Sequence, residues 1–115
     1  MEEELFGGDL IHDYLYGLFL ELSGQRFFPA LSLAKFVRIS KVVRELGGKL
    51  LNKVDLEVCY KRILEYHEQM DFYAFIDAAE YIVDMVFPGE EHTLKSKLTK
   101  LVDKFKSMSK PLFYF

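Results

Sequence analysis

Three carboxylates, Asp77, Glu80 and Asp84, fall at i, i+3 and i+7, a spacing that lines them along one face of a helix. Such a row could hold a general acid and a general base, but that work needs an apolar pocket to drive two pKa values apart. The row lacks one, so a solvated outer face is the simpler expectation. Glu65, His67 and Glu68 lie together. Their spacing of two and one does not project to one point on a helix, where paired ligands sit three or four residues apart, so no metal or cofactor is expected. Cys59, the single cysteine, falls on an apolar stripe and reads as a small buried hydrophobe rather than a nucleophile. Gly7-Gly8 and Gly47-Gly48 belong to neither a P-loop nor a GxGxxG pattern. No Cys–His or Ser–His–Asp constellation appears at a recognisable spacing, and the chain is expected not to be an enzyme.

Binding residues are easier to name. Lys35, Arg38, Lys41 and Arg44 recur at spacing three, and Lys95, Lys97, Lys100, Lys104 and Lys106 surround a second helical segment. Three readings stay open for these cations: pairing with acidic helices of the same chain, simply facing water, or meeting an acidic partner. A nucleic-acid reader would add side chains that address base edges. The first run has two Arg and no Asn or Gln, and the second has only Lys. The aromatics Phe113, Tyr114 and Phe115 either fold back on the core or insert into a partner. The candidate partner-binding set is therefore Lys35, Arg38, Lys41, Arg44, Lys97, Lys100, Lys104, Phe113, Tyr114 and Phe115.

Charge alternates along the chain. Residues 1–34 carry −5, 35–49 carry +4, 50–93 carry −7 and 94–115 carry +5, for a net charge of −3. The net value argues against general nucleic-acid affinity, while the blocks suit an assembly module. At 115 residues, half of them apolar, the chain is one globular domain that needs no disulfide staples. No apolar run reaches the length of a membrane span. The acidic start, Met1-Glu2-Glu3-Glu4, is unlike a signal or transit peptide, and a cytoplasmic location is expected.

The elements that must position these residues read as helices almost throughout, with no sustained strand alternation. Ile11, Tyr14, Leu15, Leu18 and Leu22 form one stripe, with Asp9 to cap its start and Gly24 placed for a left-handed end. Ser32 caps a second helix with Leu33, Phe36, Val37, Val43 and Leu46 inward, stopped by Gly47-Gly48. Asp55 is expected to cap a third, with Leu56, Cys59, Tyr60 and Ile63 on one side. Asp71 opens a fourth, whose face is Phe72, Phe75, Ile76, Ala79, Val83 and Val86, and Pro88-Gly89 stops it. Thr93 caps a fifth, with Leu94, Leu98, Leu101, Val102 and Phe105 on one face. The expected architecture is all-α, about five helices: two EF-hand-like helix–loop–helix pairs and a C-terminal amphipathic helix. One domain spans residues 1–110, with an apolar tail at 111–115.

Leu31-Ser32 followed by Phe36, and Met70-Asp71-Phe72 followed by Phe75, each resemble the loop hydrophobe and capped second helix of an EF-hand. The runs Lys35-Phe36-Val37-Arg38-Ile39-Ser40-Lys41, Asn52-Lys53-Val54-Asp55-Leu56-Glu57-Val58-Cys59-Tyr60 and Asp71-Phe72-Tyr73-Ala74-Phe75-Ile76-Asp77-Ala78-Ala79-Glu80-Tyr81-Ile82 are similar in order and spacing to the tubulin-polymerisation-promoting protein family. Val86-Phe87-Pro88-Gly89 and the Lys-rich helix after it look like extensions in related ciliary and flagellar proteins. The resemblance covers roughly residues 14–105 and consists of hydrophobes and caps. It implies a structural protein associated with microtubules or an axoneme, located on the cytoskeleton or in a cilium, with tubulin or axonemal proteins as partners.

Calcium binding can be judged position by position, since a calcium loop needs oxygen ligands at 1, 3 and 5, Gly at 6 and Glu at 12. With Leu31 at position 8, those places hold Gly24, Arg26, Phe28, Pro29 and Lys35; with Met70 at position 8, they hold Ile63, Glu65, His67, Glu68 and Ala74. Neither loop is expected to bind calcium, which leaves a fixed helix pair rather than a switch. The alternative expectation is a small helical nucleic-acid-binding regulator that uses the second or fifth helix on phosphates.

Overall fold

A computed structural model describes residues 10–25, 27, 29–89 and 93–108. The described residues are all helical or irregular, with no strand. The order is α1 (Leu10–Ser23), α2 (Leu33–Phe36), a 3₁₀ turn (Val37–Ile39), α3 (Ser40–Arg44), α4 (Lys53–Ile63), α5 (Phe72–Val86) and α6 (Leu94–Ser107). Because α2, the 3₁₀ turn and α3 follow one another without a break, they make one rod over residues 33–44, and the described residues form five helical bodies. The Asp9 cap and the tail at 111–115 lie outside the described residues.

Local chemistry sets the boundaries. Gly24 takes φ +66, a conformation that a side chain would strain, and its N–H donates to Leu20 O at 3.0 Å to close α1. Ser32, Asp71 and Thr93 accept from Lys35 N, Ala74 N and Ser96 N and start α2, α5 and α6. At α4 the expected cap is corrected. Asn52 caps the helix by accepting from Asp55 N, while the Asp55 carboxylate accepts from Asn52 N, each at 2.9 Å. Asp55 is thus the third residue of a capping box rather than the cap itself.

The rod departs from a single α-helix through its middle turn. Its buried residues Phe36, Ile39 and Val42 and its cations at 35, 38, 41 and 44 both repeat every three residues, the period of a 3₁₀ turn. Ile39, Ser40 and Val42 face the core with the expected Phe36 and Val43. Leu94, expected inside, is exposed at the start of α6.

Helix α5 is the central element and packs against α1, α4 and α6. Its buried Ala74, Ala78 and Ala79 keep that face narrow, and the Cys59 thiol of α4 comes within 3.9 Å of Ala78 O. Aromatic rings link the other elements through α5. Tyr16 meets Phe72 edge-on at 4.9 Å, Phe19 touches both Phe72 and Phe75, and Phe36 lies between Phe75 and Tyr60. These contacts run across α1, the rod, α4 and α5, and each is worth about 1 kcal/mol beyond its buried area. They use six of the chain's eighteen aromatic residues. At the far end of α5, Lys49 N–H donates to Val86 O at 2.8 Å. Gly48 sits so close to Val86 that a Cβ there would collide with its carbonyl oxygen.

Candidate functional site

The carboxylate row of α5 separates into different partners. Asp77 meets His67 Nε2 at 2.8 Å, and Asp84 accepts from Lys97 Nζ at 2.9 Å. Burial, then the charges of Asp77 and Asp84, push the Glu80 carboxyl above its ordinary pKa, while His12 pulls it down. Such a row gives no isolated acid–base pair. Among the described residues no group of three or more His, Cys, Asp or Glu side chains could hold a metal ion. Cys59 is wholly buried, and burial pushes its thiol up to about 12, which removes the thiolate that nucleophilic chemistry needs.

The two connecting segments before α2 and α5 meet at Leu31 and Met70, both buried. Leu31 N–H donates to Met70 O at 2.9 Å, and Leu31 O accepts from the Tyr60 hydroxyl at 2.8 Å. Both backbone groups of Leu31 are therefore satisfied across the molecule, and the segments are clasped by peptide and phenol groups. The desolvated Tyr60 hydroxyl has a raised pKa, so it keeps its donor proton well into alkaline solution.

The candidate cations divide sharply. Lys97 is only 7% exposed. Its stem lies in the α6 interface and its ammonium reaches Asp84, so it is not an accessible partner contact; this corrects its place in the candidate set. Lys100 stands 5.6 Å above the Phe87 ring, and Lys106, outside that set, stands 4.4 Å above Tyr14. Lys104 is half-buried. Lys35 also turns inward: its ammonium donates to Ser23 O at 2.6 Å, at the carbonyl end of α1, where a cation is favoured. Phe113, Tyr114 and Phe115 lie outside the described residues.

Arg38, Lys41 and Arg44 come together with Lys53 around two adjoining hollows between the rod and the start of α4. One, of about 460 Å³, is lined by Arg44, Leu50, Leu51 and Asn52; the other, of about 270 Å³, by Ala34, Val37, Arg38 and Lys41. Ser40 and Lys53 line both. The sequence reading missed Leu50 and Lys53, which lie outside the periodic stripes of the rod and α4. No sequence signal marked them, since the 71% exposure of Leu50 follows from the packing of the rod on α4.

No helix among the described residues is long and apolar enough to cross a membrane. No protein-family model, curated protein or solved structure matches the chain, and its function is read from this geometry.

Proposed function

We propose that the chain is a non-catalytic protein-binding module, an EF-hand-like pair of helix–loop–helix units that works without calcium. The observation that carries this reading is the clasp at Leu31 and Met70. The two residues sit at equivalent places in the two units, each just before the cap of the following helix. Their direct hydrogen bond is the kind of link that holds paired loops together. Position by position, the first segment offers no carboxylate at 1, 3, 5 or 12. The second has Glu65 at 3 but Ile63 at 1, no Gly at 6 and Ala74 at 12, so neither has the ligand set a calcium loop requires. A buried aromatic network behind the clasp supports a fixed scaffold rather than a calcium-driven opening.

Attachment to microtubules or to an axoneme, and so a cytoskeletal or ciliary location, rests on the sequence resemblance. The nucleic-acid alternative draws on the basic rod or on basic α6, and in α6 the geometry favours internal duties: Lys97 on Asp84, and Lys100 and Lys106 over aromatic rings. Co-sedimentation with stabilised microtubules, at low and moderate salt and with either calcium or chelator, tests the reading. The expected result is pelleting that salt weakens and calcium leaves unchanged. No pelleting at either salt would sink direct microtubule binding, and a calcium-dependent change would sink the calcium-independent module.

A further inference from the structure

We propose that the paired hollows between the rod and the start of α4 form a groove for an acidic peptide segment carrying apolar anchor residues. This deepens the protein-binding reading and rests on it. Charge is the first argument. Arg38, Lys41, Arg44 and Lys53 line the two hollows, and no acidic side chain lines either of them among the described residues. Asp55, the acid in the first turn of α4, is held on the Asn52 N–H by the capping box. Arg38 and Lys41 have partners within the chain, so the charge offered to a ligand is that of Arg44 and Lys53, both exposed and both at the larger hollow, in a chain whose net charge is −3. Arginine offers a planar fork that matches a carboxylate at two points.

Shape and apolar character are the second argument. The hollows adjoin at Ser40 and Lys53, and their volumes of about 460 and 270 Å³ suit an extended ligand better than a single phosphate ion. Leu50 and Val37 give the groove apolar surface, and Leu50 stands 71% exposed. An apolar side chain of a partner would cover it and supply affinity, while the cations orient the approach.

The same surface is poorly made for nucleic acid. Among the described residues no aromatic ring lines it for base stacking. Asn52, the one amide side chain lining it among the described residues, already caps α4.

Fluorescence anisotropy on the full chain tests the groove. The probe is a labelled peptide of glutamates interrupted by two leucines, compared with an all-glutamate peptide of equal length and with a labelled single-stranded oligonucleotide. The leucine-bearing peptide is expected to bind most tightly and to weaken with salt. The double variant Arg44→Glu/Lys53→Glu should bind it at least about ten-fold more weakly. Lys61→Glu/Lys95→Glu, which makes the same change in net charge on exposed residues of α4 and α6, should bind as the parent does. Circular dichroism melts establish that both variants fold. No peptide binding, equal losses in the two variants, or tighter binding of the oligonucleotide would each overturn the proposal. Loss of peptide binding with microtubule pelleting intact defeats the groove alone, whereas peptide binding without pelleting defeats the microtubule reading alone.

Discussion

The two basic stretches look alike in sequence and differ in use. Residues 35–49 carry +4 and residues 94–115 carry +5. In α6 the cations largely serve the fold, because Lys97 is buried against Asp84 and Lys100 and Lys106 cover the rings of Phe87 and Tyr14. In the rod, Lys35 closes α1 and Arg38 and Lys41 have partners within the chain, while exposed Arg44 flanks an open groove with Lys53. A periodic row of positive charge therefore states only that one helix face is polar. Whether the row builds the molecule or meets another depends on what the neighbouring helix presents to it.

The contrast can be broken most easily at Lys97. Lys97→Glu places a carboxylate in a buried site facing Asp84, and urea denaturation should show a loss of about 3 kcal/mol. Stability within experimental error of the parent would mean that α6 tolerates either charge, and the division between the stretches would fail. Tyr60→Phe should cost about 1 kcal/mol, because it removes the hydroxyl donor to buried Leu31 O. The same melt reads it, and unchanged stability would take the phenol out of the clasp. Arg44→Glu and Lys53→Glu, both on exposed residues, should each shift stability by no more than about 0.5 kcal/mol. A larger loss would make the groove cations structural, like those of α6.

A last expectation fixes the pH range in which these comparisons hold. The Cys59 thiol has its pKa raised from 9.0 to about 12 in the folded chain. Between those values the folded state keeps a proton that the unfolded state has lost, so this contribution is complete below pH 9 and declines as pH rises toward 12. At pH 8 the thiol should resist a thiol-specific reagent in native protein and react in urea. Rapid native reaction would show that α4 and α5 do not seal it.

Caps were legible because they are local. Ser32, Asp71 and Thr93 each reach an N–H three residues on, and Gly24 needs only its own φ. The capping box blurred one of them: Asn52 and Asp55 both have capping side chains, and their reciprocal bonds decide which is the cap. The all-helical class and most of the core face of α5 followed from apolar spacing, whose period is fixed by helix geometry. Lys97 was misread because a lysine's long stem can lie in an interface while its ammonium reaches a carboxylate thirteen positions away in the chain. The groove was illegible for a related reason. Arg38, Lys41 and Arg44 were visible as a stripe, but Leu50 and Lys53 join them only through the packing of the rod on α4.

The most direct test of the division between the two basic stretches is a ¹H–¹⁵N correlation titration with the leucine-bearing acidic peptide. Amides at 37–44 and 50–53 should shift in a saturable way while those of Leu94–Ser107 stay in place. Shifts centred on α6, or spread evenly over both stretches, would contradict the account.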